Sequence, residues 1–261
     1  MRTGLTRGGR EIHLDGEVYT HTLASLHLAL KPASYFEIGT LHGATLRLAT
    51  CPAVAVDPTF QLAAELVGGR PNWRLFETTS DAFFAEHDLK ALLGGPVGLA
   101  FLDGMHQFDF LLRDFINTER ACDGASVVLM HDGLPRDTAM TGAADATSAS
   151  RFPGYWTGDV WKLIPILRRW RPDLAVAGLD AQPTGLIAVT DLDPDSRVLS
   201  DNYDAIIAEW TPVSLAAYGL DRLFDEAQVV PARDWRRRFG PEEAPNEPIG
   251  WKRRLRHLLP V

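Results

Sequence analysis

FEIGTLHGAT, residues 36 to 45, is the stretch on which the fold turns. A short apolar run ends at an acid, Glu37, and Gly39 and Gly43 follow at once. An apolar run that stops at a polar residue and passes through glycines into a helical period reads as strand, tight turn and helix. Glycine in such a turn lets the backbone approach a ligand. An ordinary strand-to-helix turn carries the same glycines, so the pair gains meaning only from its surroundings.

Outward from this stretch the same pattern recurs. Apolar runs stand at ASYFEI (33 to 38), AVAV (53 to 56), WRLF (73 to 76), VGLAFL (97 to 102) and ASVVLM (125 to 130). They end at Glu37 with Gly39, Asp57, Thr78, Asp103, and His131 with Asp132. Helical period falls at 43 to 50, 60 to 67, 81 to 93 with Ser80 as N-cap, and 107 to 121. VWKLIPILRRW adds another helix, and LAVAGLD and TGLIAVT, separated by AQP, read as a hairpin. The pattern predicts an α/β fold, a Rossmann-like doubly wound sheet of seven strands whose last strand is antiparallel. Residues 33 to 194 would form this core. Residues 1 to 32, with a helix over 18 to 30, and residues 195 to 261 would be N- and C-terminal helical extensions, either covering the core or pairing with a second copy in a homodimer.

In such sheets ligands bind beyond the carboxyl ends of the strands. Asp57 ends its strand twenty residues after Glu37, the separation at which an acid accepts ribose hydroxyls in a nucleotide-binding βαβ unit. The turn reads GTLHG rather than GxGxxG, with a carboxylate two residues before its first glycine. That carboxylate would repel a pyrophosphate but suits the ammonium and sulfonium of S-adenosylmethionine, which is therefore preferred to NAD.

FEIGTLHGAT, VAVDP, TTSDAF, FLDGMHQFDFLLRDF and VVLMHD resemble, in order, the motifs of class I S-adenosylmethionine-dependent methyltransferases. They look most like the subgroup with DGxH after strand four and HD after strand five, related to metal-assisted O-methyltransferases of small molecules. The resemblance spans residues 30 to 190. It implies that Glu37, Gly39, Thr40 and Gly43 surround the methionine moiety, that Asp57 binds the ribose, and that Thr79 and Ser80 lie near the adenine. Thr79 stands where an acid is often found. The implied reaction is methyl transfer to a hydroxyl of a small molecule. Metal-dependent relatives commonly carry two adjacent acids after strand five, whereas this chain has His131, Asp132 and Gly133.

Asp103, His106, His131 and Asp132 fall at neighbouring strand ends, beside the expected sulfonium. Asp103 and Asp132 could hold Mg²⁺, which one or two carboxylates and water satisfy. His106 first, and His131 second, could accept the acceptor's proton, since imidazole titrates near neutrality. The plainer alternatives are that Asp103 caps a helix or touches adenosylmethionine and that His131 is structural. An NAD-dependent oxidoreductase and a non-catalytic adenosylmethionine-binding module are the competing functions.

Composition sets the remaining expectations. The net charge is −8, and residues 231 to 261 hold eight Lys/Arg against four Asp/Glu, so the first 230 residues carry −12. An acidic body argues against a nucleic-acid partner. The basic end, beginning at Arg236, Arg237 and Arg238, reads as a solvated tail with no stable membrane association. No apolar run reaches the roughly 18 residues of a membrane span and the start lacks a signal-peptide core, which points to the cytoplasm. Cys51 and Cys122 have no partner spacing and read as packing residues. Residues 134 to 154 read as a long loop able to act as a lid, with Tyr155, Trp156 and Trp161 beside it to pack a flat acceptor. FGPEEAPNEPIGW reads as a linker to the tail.

Overall fold

The computed structural model describes residues 4–5, 11–12, 14–63, 66, 72–142, 150 and 152–240. Two short strands, β1 (Gly4–Leu5) and β2 (Glu11–Ile12), pair with each other. The main sheet is built from β3 (Tyr35–Ile38), β4 (Ala53–Asp57), β5 (Trp73–Glu77), β6 (Leu99–Leu102), β7 (Val127–His131), β8 (Ala175–Leu179) and β9 (Leu186–Thr190). Its order is β5-β4-β3-β6-β7-β9-β8. β5 through β7 pair in parallel, and β9 runs antiparallel to both β7 and β8. This is the expected seven-stranded, doubly wound sheet. Every residue of β3, β4, β6 and β9 is buried, as strands covered on both faces must be.

The strand alternation divides two cores. Phe36, Ile38, Val54, Val56, Ala100, Leu102, Val128 and Met130 enter one. Tyr35, Ala53, Ala55, Leu99, Phe101, Val127 and Leu129 enter the other, together with Leu23 and Leu26 of α1 (Tyr19–Leu30). Glu37 shares the face of Tyr35, two residues away, and so points toward the side that α1 covers. The chain leaves β3 for β4 and β5, then returns to β6 on the other flank. The order reverses between β3 and β6, and that crevice is the switch point.

At the switch point the backbones nearly touch. Gly39 has φ +81, and a Cβ there would lie 1.8 Å from the Asp103 carbonyl oxygen. Asp103 N donates to Ile38 O at 2.9 Å and Gly39 N to Val56 O at 3.0 Å, which locks the ends of β3, β4 and β6 together.

Several helices depart from their sequence expectations. Residues 43 to 50 contain only a 3-10 turn at Leu46–Leu48, because the chain must extend at Ala49 to pass Pro52 and enter β4. Residues 60 to 63 are irregular, and most of 64 to 67 lies outside the described residues. The segment expected over 81 to 93 is two helices, α2 (Ser80–Glu86) and α3 (Leu89–Leu93). His87 is extended and Asp88 caps a new start by accepting from Ala91 N at 3.1 Å. The cap of α2 is Thr79, whose hydroxyl accepts from Ala82 N, rather than Ser80. α4 (Phe108–Arg120) and α5 (Leu163–Trp170) lie where the periodicity places them.

Five short helices follow: α6 (Val198–Asp201), α7 (Tyr203–Trp210), α8 (Leu215–Tyr218), α9 (Leu220–Ala227) and α10 (Ala232–Arg236). Leu199, Ile206, Trp210, Leu215 and Leu223 join the first core, and Ala232 and Trp235 the second. Arg236 is buried and paired with Glu17, and Arg238 donates to Thr190 Oγ1. Arg236 therefore belongs to the packed fold, whereas Arg237 and Arg238 are exposed. The expected linker and tail beyond residue 240, and the loop tip at 143 to 149, lie outside the described residues. Among the described residues no helix is long and apolar enough to cross a membrane.

Candidate active site

The carboxyl edge carries two adjoining groups of residues. The first surrounds the turn after β3. Glu37 is fully buried; Tyr35 Oη donates to its Oε2 at 2.5 Å, and the Thr40 and Thr45 hydroxyls stand beside the carboxyl. Burial pushes the Glu37 carboxyl up to about 7, against the opposing pull of the Tyr35 hydroxyl. Asp57, also buried, accepts from Leu41 N and Thr59 N, each at 2.7 Å. It clips the 39 to 43 turn onto the end of β4, leaving its remaining lone pairs for a ligand. Gly43 closes the turn by donating to Thr40 O at 2.7 Å. Thr79 and Ser80 sit at the start of α2, after the neighbouring β5.

The second group is a ring of two carboxylates and two imidazoles. His131 Nδ1 lies 3.2 Å from Asp103 Oδ1 and 3.4 Å from Asp132 Oδ2. His106 Nε2 lies 3.7 Å from the same Asp103 oxygen and 3.3 Å from the same Asp132 oxygen. Each imidazole thus presents one nitrogen to both acids. β6 and β7 are paired neighbours, which brings Asp103, one residue past β6, beside His131, the last residue of β7. Asp132 turns inward from a left-handed backbone, φ +61, and its other oxygen accepts from the Thr184 hydroxyl.

His106 is held from the far side. Its Nδ1 lies 2.8 Å from the Trp156 carbonyl oxygen, and since a carbonyl only accepts, Nδ1 carries a hydrogen and Nε2 faces the carboxylates. Asp159 fixes the same turn: its backbone N–H donates to His106 O, and its carboxylate accepts from Phe108 N at 2.8 Å to cap α4.

The electrostatics follow from this ring. Burial alone would raise the Asp103 carboxyl, but the charge of His131 and hydrogen bonds from both histidines outweigh it and hold the group at about 2. Burial alone would lower His131, but Asp132 and Asp103 hold it well above its ordinary value. His106 is raised by the same two acids despite its burial. The two carboxylates favour positive charge between them, as protons on the imidazoles or as a bound cation.

Tyr19, the first residue of α1, was not singled out by sequence. Its ring centre is 4.3 Å from that of His131 and 5.9 Å from Phe101, and burial followed by the charges of Asp103, Asp132 and Glu37 pushes its hydroxyl well up. Thr184 and the Trp156 carbonyl were missed as well; no local pattern in the chain marks them. A separate surface cavity of about 570 Å³ lies along α4 and residues 200 to 205, and it includes none of the residues of either group.

No family model and no curated relative matches this sequence. Among solved structures, the chain is similar to the O-methyltransferase TomG from Streptomyces achromogenes, involved in tomaymycin synthesis and solved with SAM. Identity is 13%, with 67% of this chain and 80% of that one covered at a TM-score of 0.49. The SAH-bound Podospora anserina methyltransferase PaMTH1 matches at 17% identity, 67% and 78% coverage and TM-score 0.48. The N-methyltransferase NodS from Bradyrhizobium japonicum WM9 matches at 13% identity, 66% and 92% coverage and TM-score 0.40.

Proposed function

We propose that this chain is a methyltransferase that binds S-adenosylmethionine at the switch point between β3 and β6 and passes its methyl group to a hydroxyl of a small molecule. One observation carries the reading: the contact of Gly39 with Asp103 places a turn suited to a cationic nucleoside against a ring of residues suited to handling a proton or a dication. The buried Glu37 presents a carboxyl whose charged form a bound cation would favour, and Asp57 supplies the acceptor for ribose hydroxyls.

His106 is the better base of the two histidines. Its side chain is 25% exposed against 10% for His131, and the Trp156 carbonyl fixes its reactive nitrogen toward the acids. His131 lies under the Tyr19 ring. The residues also fit a dication: Asp103, His131 and Asp132 offer ligand atoms that all lie within 4.8 Å of one another. A dication there would act as a Lewis acid favouring the acceptor's anion. His106 Nε2 would then take the hydroxyl proton, while Thr184 and Tyr19 hold Asp132 and His131 in place.

Calorimetry with S-adenosylhomocysteine tests the cofactor assignment. Binding is expected, and NADH binding more tightly than S-adenosylhomocysteine would overturn it. A panel of phenolic and aliphatic hydroxyl acceptors, read by S-adenosylhomocysteine release, tests the reaction.

A further inference from the structure

We infer that His131 is a metal ligand, and that its imidazole gives the site a first-row transition dication such as Co²⁺ or Zn²⁺ in preference to Mg²⁺. The inference rests on the proposed function only for the place of the site, since the donor atoms are defined by the fold.

The geometry comes first. Nitrogen and carboxylate ligands bind such ions at about 2.0 to 2.2 Å, so two ligands on adjacent corners of a tetrahedron or octahedron lie about 2.9 to 3.5 Å apart. His131 Nδ1 stands 3.2 Å from Asp103 Oδ1 and 3.4 Å from Asp132 Oδ2, within that span for both. The three donors come from three positions on two adjacent strand ends, and their ligand atoms all lie within 4.8 Å of one another. His106 Nε2 is 3.3 Å from Asp132 Oδ2 and 3.7 Å from Asp103 Oδ1, within the span on one side and outside it on the other, which leaves it at the rim of the ligand set as the base.

The chemistry of the donors then selects the ion. Mg²⁺ takes oxygen in near-ideal octahedral geometry and parts with water reluctantly. Imidazole nitrogen favours the later first-row ions, and mixed histidine and carboxylate faces with open positions are a known pattern for them. An aspartate in place of His131 would make an all-oxygen face, so the choice of ion hangs on that one side chain. Its orientation is supported by packing: the Tyr19 ring covers one side, and Thr184 turns the second oxygen of Asp132 away from the centre.

The experiment measures metal binding directly on the full chain stripped with chelator, by equilibrium dialysis against Co²⁺, Zn²⁺, Mn²⁺ and Mg²⁺ at one pH, with the visible spectrum of the Co²⁺ form. Co²⁺ and Zn²⁺ should bind more tightly than Mg²⁺, and since the later first-row ions are favoured at many sites, the comparison with His131→Asp measures what the imidazole adds. His131→Asp should reduce that preference sharply or reverse it, and should change the Co²⁺ spectrum, whereas His106→Ala, which removes a neighbour of the ligands, should shift the affinity for every ion together and keep the order of preference. S-adenosylhomocysteine binding, measured on each variant, reports separately on folding and on the cofactor assignment. Equal or tighter Mg²⁺ binding by the unaltered chain would overturn the inference. A His131→Asp variant that binds S-adenosylhomocysteine and keeps the Co²⁺ spectrum and preference of the unaltered chain would overturn it too, and neither result would touch the methyltransferase reading.

Discussion

Replacing Gly39 with alanine tests the contact on which the whole site depends. Two costs arise. An L-residue in the left-handed region costs about 1 to 2 kcal/mol. In addition the new Cβ would lie 1.8 Å from the Asp103 carbonyl oxygen and 2.4 Å from its carbon, where carbon and oxygen normally approach no closer than about 3.3 Å. The neighbour is backbone, so one strand end must shift by more than an ångström. That shift threatens two hydrogen bonds, Asp103 N to Ile38 O and Gly39 N to Val56 O, each contributing about 0.5 to 1.5 kcal/mol. Together the costs reach about 2 to 5 kcal/mol, or a melting temperature lower by at least about 4 °C for a chain of this size. Gly94 provides the control: it has φ +76, and a Cβ added there would meet nothing within 4 Å, so Gly94→Ala carries the backbone cost alone. Thermal melts and S-adenosylhomocysteine titrations of the two variants separate the terms. A Gly39→Ala protein that melts with Gly94→Ala and binds S-adenosylhomocysteine normally would refute the close approach.

Three further outcomes are expected. Without metal, the protein should lose stability as pH rises. Groups whose folded pKa is raised stabilise most below their unfolded values: Glu37 and Asp114, both lifted by burial to about 7, lose stability above about 4.5 and about 3.8 respectively, and His131 and His106 lose it above about 6.5. Asp103, held at about 2, stabilises above its ordinary 3.8 and loses that contribution only as pH falls toward 2, so melts in chelator should peak on the acid side of neutrality, and a peak at alkaline pH would contradict these shifts. Asp57→Asn leaves one of two backbone N–H groups facing an amide, a loss of about 1.5 to 3 kcal/mol, and S-adenosylhomocysteine should bind at least about tenfold more weakly by calorimetry; an unchanged constant would remove Asp57 from the site. Arg171→Ala strands Glu119, which it meets at 2.7 Å with both side chains buried, so denaturant titration should show a loss of about 3 to 5 kcal/mol, and a loss below about 1 would show that water or another group compensates.

The central strands were legible because burial on both faces leaves continuous apolar runs, and each run ends in polar residues at the carboxyl edge. That is why Glu37, Asp57, Asp103, His131 and Asp132 could be placed at the edge from residues alone. Helices were less legible where the chain is short of room. The stretch after Gly43 has helical period, but its 3-10 turn ends at Leu48 and β4 already begins at Ala53. Thr79 and Ser80 were interchangeable as caps by residue type, and only the backbone decided between them.

What the sequence did not reveal is the support around the ring, and the reason is one of distance along the chain. Tyr19 precedes Asp103 by more than eighty residues and reaches His131 only because α1 lies across the face that β3, β6 and β7 present. Trp156 meets His106 with both its carbonyl oxygen and its ring, whose centre lies 4.8 Å from the imidazole, but fifty residues of chain separate the two, and Thr184 meets Asp132 only because β9 returns beside β7. The residues that could bear charge or protons are chemically distinctive and announce themselves at strand ends. The groups that fix their orientation are a ring face, a hydroxyl and a peptide carbonyl, which any segment could offer, so they become visible only once the topology has brought four separate segments to one edge.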